Sequence, residues 1–232
     1  MSRISKAFAN KRAFIGYLTA GDAGKKDFLE LTHHGVNVLE VGIPFSDPVA
    51  DGPVIQKAMM RALQKGMTPA KALDIVREIR AESDVAIVVF TYLNPIQKDL
   101  KAFLSQAKQA GADGILIVDL PLEEADEYRF LCDRVGLDPI FLIAPSTPPE
   151  RIERLSRAGR GFLYYACRKG TTGARTGLPE DLREKVAVIR AKSSLPIAVG
   201  FGISERKTAD AILTIADGFV VGSHFVEGNR SL

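Results

Sequence analysis

Short apolar runs rich in Val, Ile and Leu recur along the chain, each followed by a stretch in which apolar residues return every third or fourth position. The runs read as strands buried on both faces, and the stretches between them read as helices. Strands are expected at Ala13–Leu18, Val38–Ile43, Val85–Thr91, Gly114–Val118, Pro139–Ile143, Gly161–Ala166, Pro196–Gly200 and Gly218–Gly222. Helices are expected near Asp27–His34, Val54–Lys65, Ala70–Ala81, Leu100–Ala110, Glu123–Val135, Pro149–Arg157, Asp181–Ala191 and Ser204–Ile215. A short helix at the amino terminus has Ser2 as its cap and Ile4, Ala7 and Phe8 on one face.

Eight strands alternating with helices predict an α/β fold, a parallel (β/α)8 TIM barrel with a short N-terminal helix. The competing architecture, a doubly wound open sheet, usually needs a glycine-rich turn after its first strand, and GYLTAGD has only scattered glycines. No linker, low-complexity tract or charge block divides the chain, so one domain over 1–232 is expected.

Composition narrows the function classes. Hydrophobic residues at 46% supply a substantial core, and a net charge of +3 with interspersed signs offers no basic stripe for nucleic acid. No stretch approaches the length of a membrane span. The basic amino terminus lacks the apolar run of a targeting peptide. Cys132 and Cys167 form no CxxC, which fits a reducing, cytoplasmic setting. His33 and His34 are adjacent on a helix and face different directions, and no metal-ligand cluster stands out.

The candidate chemistry centres on VLEVGIPFSDPVADGP, Val38 to Pro53. Glu40 lies inside an apolar strand, where a lone carboxylate costs several kcal/mol unless it is paired, protonated or put to use. Asp51 lies in the Pro- and Gly-punctuated loop that follows, together with Asp47. In a barrel both belong at the carboxyl ends of the strands, where the chemistry sits. Glycine-bearing segments after the last three strands, GTTGA, GFGIS and VGS, fall where many barrels bind phosphate. Singly each glycine reads as a turn residue; together they favour a phosphate site. Tyr17, Phe90, Tyr92, Ile143 and Phe201 could hold an apolar ring between the two ends, although barrel packing explains each one equally well.

GYLTAGD, LEVGIPFSDPVADGP, TYLNPI, VDLPLEEADE, GTTGAR and GFGIS together resemble the signatures of the tryptophan synthase alpha subunit family, over nearly the whole chain. The resemblance implies retro-aldol cleavage of indole-3-glycerol phosphate to indole and glyceraldehyde 3-phosphate. It implies Glu40 as the acid/base, Asp51 as the stabiliser of charge at the indole N–H, and Tyr164 beside the breaking bond. Gly173, Gly202, Gly222 and Ser223 match phosphate contacts, and Thr172 with Arg168 matches a mobile lid. Asp47 and Asn94 match the contact region for a beta subunit in an alpha2beta2 assembly. No cofactor is implied for this chain, pyridoxal phosphate being expected only in the beta subunit. Two readings compete with this one: a catalytically weak regulatory subunit that activates a beta partner, and another phosphate-binding barrel, an isomerase or epimerase.

Departures from the family pattern are Cys167 where serine is usual, Thr171 where valine is common, and a slightly short segment from Gly24 to His34. The chain also ends nine residues after Ser223, where the family continues into a final helix. The expectation is that the sequence in hand is incomplete there, and that a barrel lacking this helix exposes the back of its eighth strand.

Overall fold

The computed structural model describes residues 1–10, 12–167, 178–200 and 202–232. The apolar runs form β1 (Ala13–Thr19), β2 (Val38–Gly42), β3 (Ala86–Thr91), β4 (Gly114–Ile117), β5 (Asp138–Ile143), β6 (Leu163–Ala166), β7 (Ile197–Gly200) and β8 (Gly218–Val221). Each strand pairs in parallel with the next, and β8 pairs with β1, so the sheet closes into a barrel. The helices are α1 (Arg3–Phe8), α2 (Lys25–His33), α3 (Pro53–Gln64), α4 (Pro69–Glu82), α5 (Leu100–Ala110), α6 (Asp126–Val135), α7 (Pro149–Ala158), α8 (Leu182–Lys192), α9 (Arg206–Leu213) and α10 (Ser223–Val226). This is the (β/α)8 architecture expected from the sequence. The stretch expected as one helix from Glu123 divides into a 3-10 turn, Leu122–Glu124, and α6.

The two-residue period of a strand sorts its side chains between two cores. Ala13, Ile15 and Tyr17 of β1 join Val38, Val88, Phe90, Leu116 and Ile140 inside the barrel. Leu18, Leu39, Val41, Ile87, Val89 and Ile143 face the helices instead. Each helix meets them with one apolar stripe, as α4 does with Ala72, Leu73, Val76 and Ile79. Burying each Val, Leu or Ile side chain contributes roughly 1.5–3 kcal/mol, so both cores hold the closed sheet.

Helix α1 closes the amino-terminal end of the barrel. The Ser2 hydroxyl accepts from Ser5 N at 3.1 Å, which caps the helix. Ile4 and Phe8 are buried, and the Phe8 ring stacks on Phe162 with centroids 5.1 Å apart. Two Ala-Asp-Gly tripeptides start β4 and β8 in the same manner. Asp113 Oδ2 accepts from Ile87 N at 2.9 Å and pairs with Arg80 at 2.9 Å. Asp217 Oδ2 accepts from Ile197 N at 2.9 Å and pairs with Arg190 at 2.7 Å. Each carboxylate ties a strand start to a helix, so this end of the barrel is built for stability.

The back of β8 is covered, contrary to the sequence expectation. Phe219 and Val221 are 4% and 0% exposed. Phe14 stacks on Phe219 at 4.6 Å and meets Phe225 of α10 at 5.9 Å, so the short α10 supplies the apolar cover. Arg230 then clamps the terminal segment to α2 through Asp27 at 3.0 Å and Glu30 at 3.3 Å. With α1 over its amino-terminal end, the barrel has a cavity among the described residues at the other end, where the strands finish and the longer loops begin. Among the described residues no helix is long and apolar enough to cross a membrane.

Candidate active site

Strand β2 delivers Glu40 because its neighbours point the other way. Leu39 and Val41 pack against the helices, which turns Val38 and Glu40 inward. Glu40 is 1% exposed, and among the described residues its Oε1 has no hydrogen-bond partner. Burial is the main cause that raises its pKa to about 8, and the charge of Asp51 adds to the rise. At neutral pH Glu40 therefore holds a proton it can give away.

Asp51 comes from the loop between β2 and α3. Its backbone N–H donates to Pro48 O at 3.0 Å, and Gln56 on the first turns of α3 donates through Nε2 to the Asp51 carbonyl at 2.8 Å. The side chain is held by the Tyr92 hydroxyl, which donates to Oδ2 at 2.7 Å and accepts from Ala50 N at 3.0 Å. Burial raises the Asp51 pKa to about 6, and the Tyr92 bond holds the rise back. Two carboxyl groups in one pocket thus divide: Asp51 ionises first while Glu40 stays protonated.

Both carboxyls line a cavity of about 430 Å³ at the carboxyl end of the barrel. Tyr17, Ile55, Phe90, Val118, Leu142 and Val220 give it apolar walls, with Tyr164 beside them. The same cavity is lined by Gly202 and by Gly222 and Ser223, where α10 begins. The arrangement fits a flat apolar ring next to two carboxyls and a polar tail reaching backbone N–H groups.

Two glycines shape these walls by lacking a side chain. A Cβ at Gly42 would lie 2.3 Å from the Tyr17 hydroxyl, and one at Gly200 would lie 2.4 Å from the Tyr164 hydroxyl. Each phenol therefore lies over a bare position on the next strand. Gly200, expected as part of a phosphate segment, makes room for Tyr164.

Of the residues singled out in the sequence, Glu40, Asp51, Tyr17, Phe90, Tyr164, Gly202, Gly222 and Ser223 meet at this cavity. Two of the expected wall residues are corrected. Ile143 is 1% exposed and belongs to the outer core, because Leu142 takes the inward place on β5 and the period of two turns Ile143 to the helices. Tyr92 is fully buried behind Asp51 and holds that carboxylate in place of lining the cavity. Asp47 and Asn94 are exposed on the loops after β2 and β3. Arg168, Thr172, Gly173 and Phe201 lie outside the described residues. Sequence reading missed Val118, Leu142, Ala144, Ser146 and Ile55. Strand parity could have found Val118 and Leu142, each two residues on from an inward-facing residue, Leu116 and Ile140.

The profile of the family described as tryptophan synthase alpha chain matches residues 4–230. The tryptophan synthase alpha chain of Coxiella burnetii is 48% identical over 231 residues, covering 98% of this chain and 90% of that one. That of Chlamydia felis is 45% identical, with 98% and 91% covered. Among solved structures, subunit alpha from Legionella pneumophila superposes with a TM-score of 0.88 at 37% identity, covering 98% of this chain and 88% of that one. A chain of Mycobacterium tuberculosis tryptophan synthase superposes at 0.91, also with 37% identity, over 97% and 90%. The chain belongs to the tryptophan synthase alpha chain family.

Proposed function

We propose that this chain cleaves indole-3-glycerol phosphate to indole and glyceraldehyde 3-phosphate in tryptophan biosynthesis, with Glu40 as its acid and base. The observation that carries the reading is a buried Glu40 whose Oε1 has no partner among the described residues, in one cavity with Asp51, burial raising the pKa of Glu40 to about 8 and that of Asp51 to about 6.

Protonated Glu40 gives its proton to indole C3, which places positive charge on the ring nitrogen. The indole N–H donates to ionised Asp51, which Tyr92 keeps aimed at it. The Glu40 carboxylate then takes the proton of the adjacent carbinol hydroxyl. The bond from C3 to the side chain breaks, its electron pair returns to the ring, and the carbinol becomes the aldehyde. Glu40 is protonated again at the end, so one residue serves both steps. Tyr164 packs beside the breaking bond. The reading places the phosphate at Gly202, Gly222 and Ser223 with Gly173, and a lid at Arg168 and Thr172. It assigns no cofactor to this chain, since both proton transfers are within reach of carboxyl groups.

A beta chain is the proposed partner, in an alpha2beta2 assembly in the cytoplasm, with pyridoxal phosphate on the beta side. Asp47 and Asn94 are exposed, and Val49, an apolar residue in the same loop as Asp47, is 77% exposed, which supports a docking role for this loop. The test is to incubate the purified chain with indole-3-glycerol phosphate, alone and with a beta chain, and follow indole and aldehyde release. Release in equal amounts supports the reading, and no release in either condition overturns it.

A further inference from the structure

Beside Glu40 stands a hydroxyl pair that the mechanism above does not use. Tyr17 lies level with Glu40 in the β1–β2 register, and Thr19 lies level with Gly42 two residues on. The Tyr17 ring rises along that step, packing edge-on against Phe90 at 5.4 Å, and its hydroxyl meets Thr19 Oγ1 at 3.2 Å. The space it fills is the one a Gly42 side chain would need.

Two hydroxyls that share one hydrogen bond leave one proton over. Thr19 is 1% exposed, and among the described residues its hydroxyl meets only Tyr17, so none of them offers it another acceptor. Tyr17 lines the cavity. The arrangement that satisfies both groups has Thr19 donating to Tyr17 and Tyr17 directing its own proton into the cavity. Burial and the nearby carboxylates hold the Tyr17 pKa well above that of a free phenol, which keeps it a donor.

Of the two hydroxyls on the substrate's glycerol chain, one loses its proton to Glu40 and becomes the aldehyde. The other, on the carbon next to the phosphate ester carbon, keeps its proton throughout. We propose that Tyr17 is a substrate-positioning residue that donates a hydrogen bond to this second hydroxyl, with Thr19 aiming the donor and Gly42 leaving room for it. The inference rests on the function proposed above and deepens it by naming what selects the hydroxylated chain.

The test compares indole-3-glycerol phosphate with its analogue lacking the second hydroxyl, which can still be cleaved because the carbinol remains. In wild-type protein kcat/KM favours the natural substrate by about 10-fold, the usual size of one hydrogen bond lost at a bound hydroxyl. Tyr17→Phe keeps the ring, its contact with Phe90 and the Gly42 gap. It is expected to lose about 10-fold on the natural substrate, nothing on the analogue, and hence the preference. Thr19→Val is expected to lower the same preference by about 3-fold through a misdirected donor. Urea midpoints of both variants report whether the fold is kept, and Thr19→Val carries the test if Tyr17→Phe is unstable. Equal losses on both substrates, or unchanged selectivity in a folded variant, would overturn the inference while leaving the function standing. No indole from the wild-type protein would overturn the function itself.

Discussion

Replacing Glu40 by Gln is expected to stabilise the protein, and the gain should depend on pH. In the unfolded chain the carboxyl ionises near 4.5, whereas in the fold it keeps its proton up to about 8. Between those values the folded protein holds a proton that the unfolded chain has released. Stability therefore falls as pH rises through this window, by about 1.4 kcal/mol per unit. Up to pH 7 the loss is roughly 3 kcal/mol, and over the whole window it is on the order of 5 kcal/mol. Glutamine has the same shape and no charge to bury. Urea unfolding of wild type and Glu40→Gln between pH 4 and 9, read by circular dichroism, should give curves that separate from about pH 4.5 upward and run parallel again above about 8. The variant should be the more stable protein in that upper range. A constant difference across the range, or a variant that is less stable at pH 8, would refute the assignment of Glu40 as a buried acid. A stability cost of this kind is the expected companion of a residue kept for chemistry and not for packing, as proposed for Glu40.

The pH dependence of kcat/KM should be bell-shaped, rising near pH 6 as Asp51 ionises and falling near pH 8 as Glu40 loses its proton. These limbs are properties of the pair. Tyr92→Phe keeps the ring contact with Phe45 at 5.2 Å but removes the donor that holds Asp51 down, so the lower limb should move up by roughly half a unit to one unit. A lower limb that stays in place in this variant would mean that Tyr92 does not govern Asp51. At the other end of the barrel, Asp113→Ala leaves Arg80 and Ile87 N without their carboxylate and should cost about 3–5 kcal/mol in urea unfolding with little change in kcat. A cost below about 1 kcal/mol would show that this cluster does not secure the strand starts.

The architecture was legible because each strand is an apolar run bounded by turn residues and each helix shows a single apolar stripe, as at Ala86–Thr91 and Pro69–Glu82. Glu40 stood out because a carboxylate in such a run contradicts its surroundings, and it is buried in the wall of the cavity. The direction of a side chain at the end of a strand was harder to read. Ile143 and Leu142 are equally apolar, and only the register decides which faces the cavity. The Tyr92–Asp51 bond joins residues 41 positions apart, through a loop whose path depends on Pro48, Gly52 and Gln56 and has no periodicity. Gly42 and Gly200 read as strand-end glycines, and their use became visible only with the phenols that occupy their space. The cover over β8 was missed because Phe14, Phe219 and Phe225 are far apart in sequence and come together as one stack only in the closed barrel.

Whether Glu40 moves both protons is tested by the rate of indole release from indole-3-glycerol phosphate by Glu40→Gln beside wild type at pH 7. A loss of at least about 100-fold, roughly 3 kcal/mol of transition-state stabilisation, is expected in a variant that remains folded. Release at a rate close to wild type would move the acid/base role to another group in the cavity.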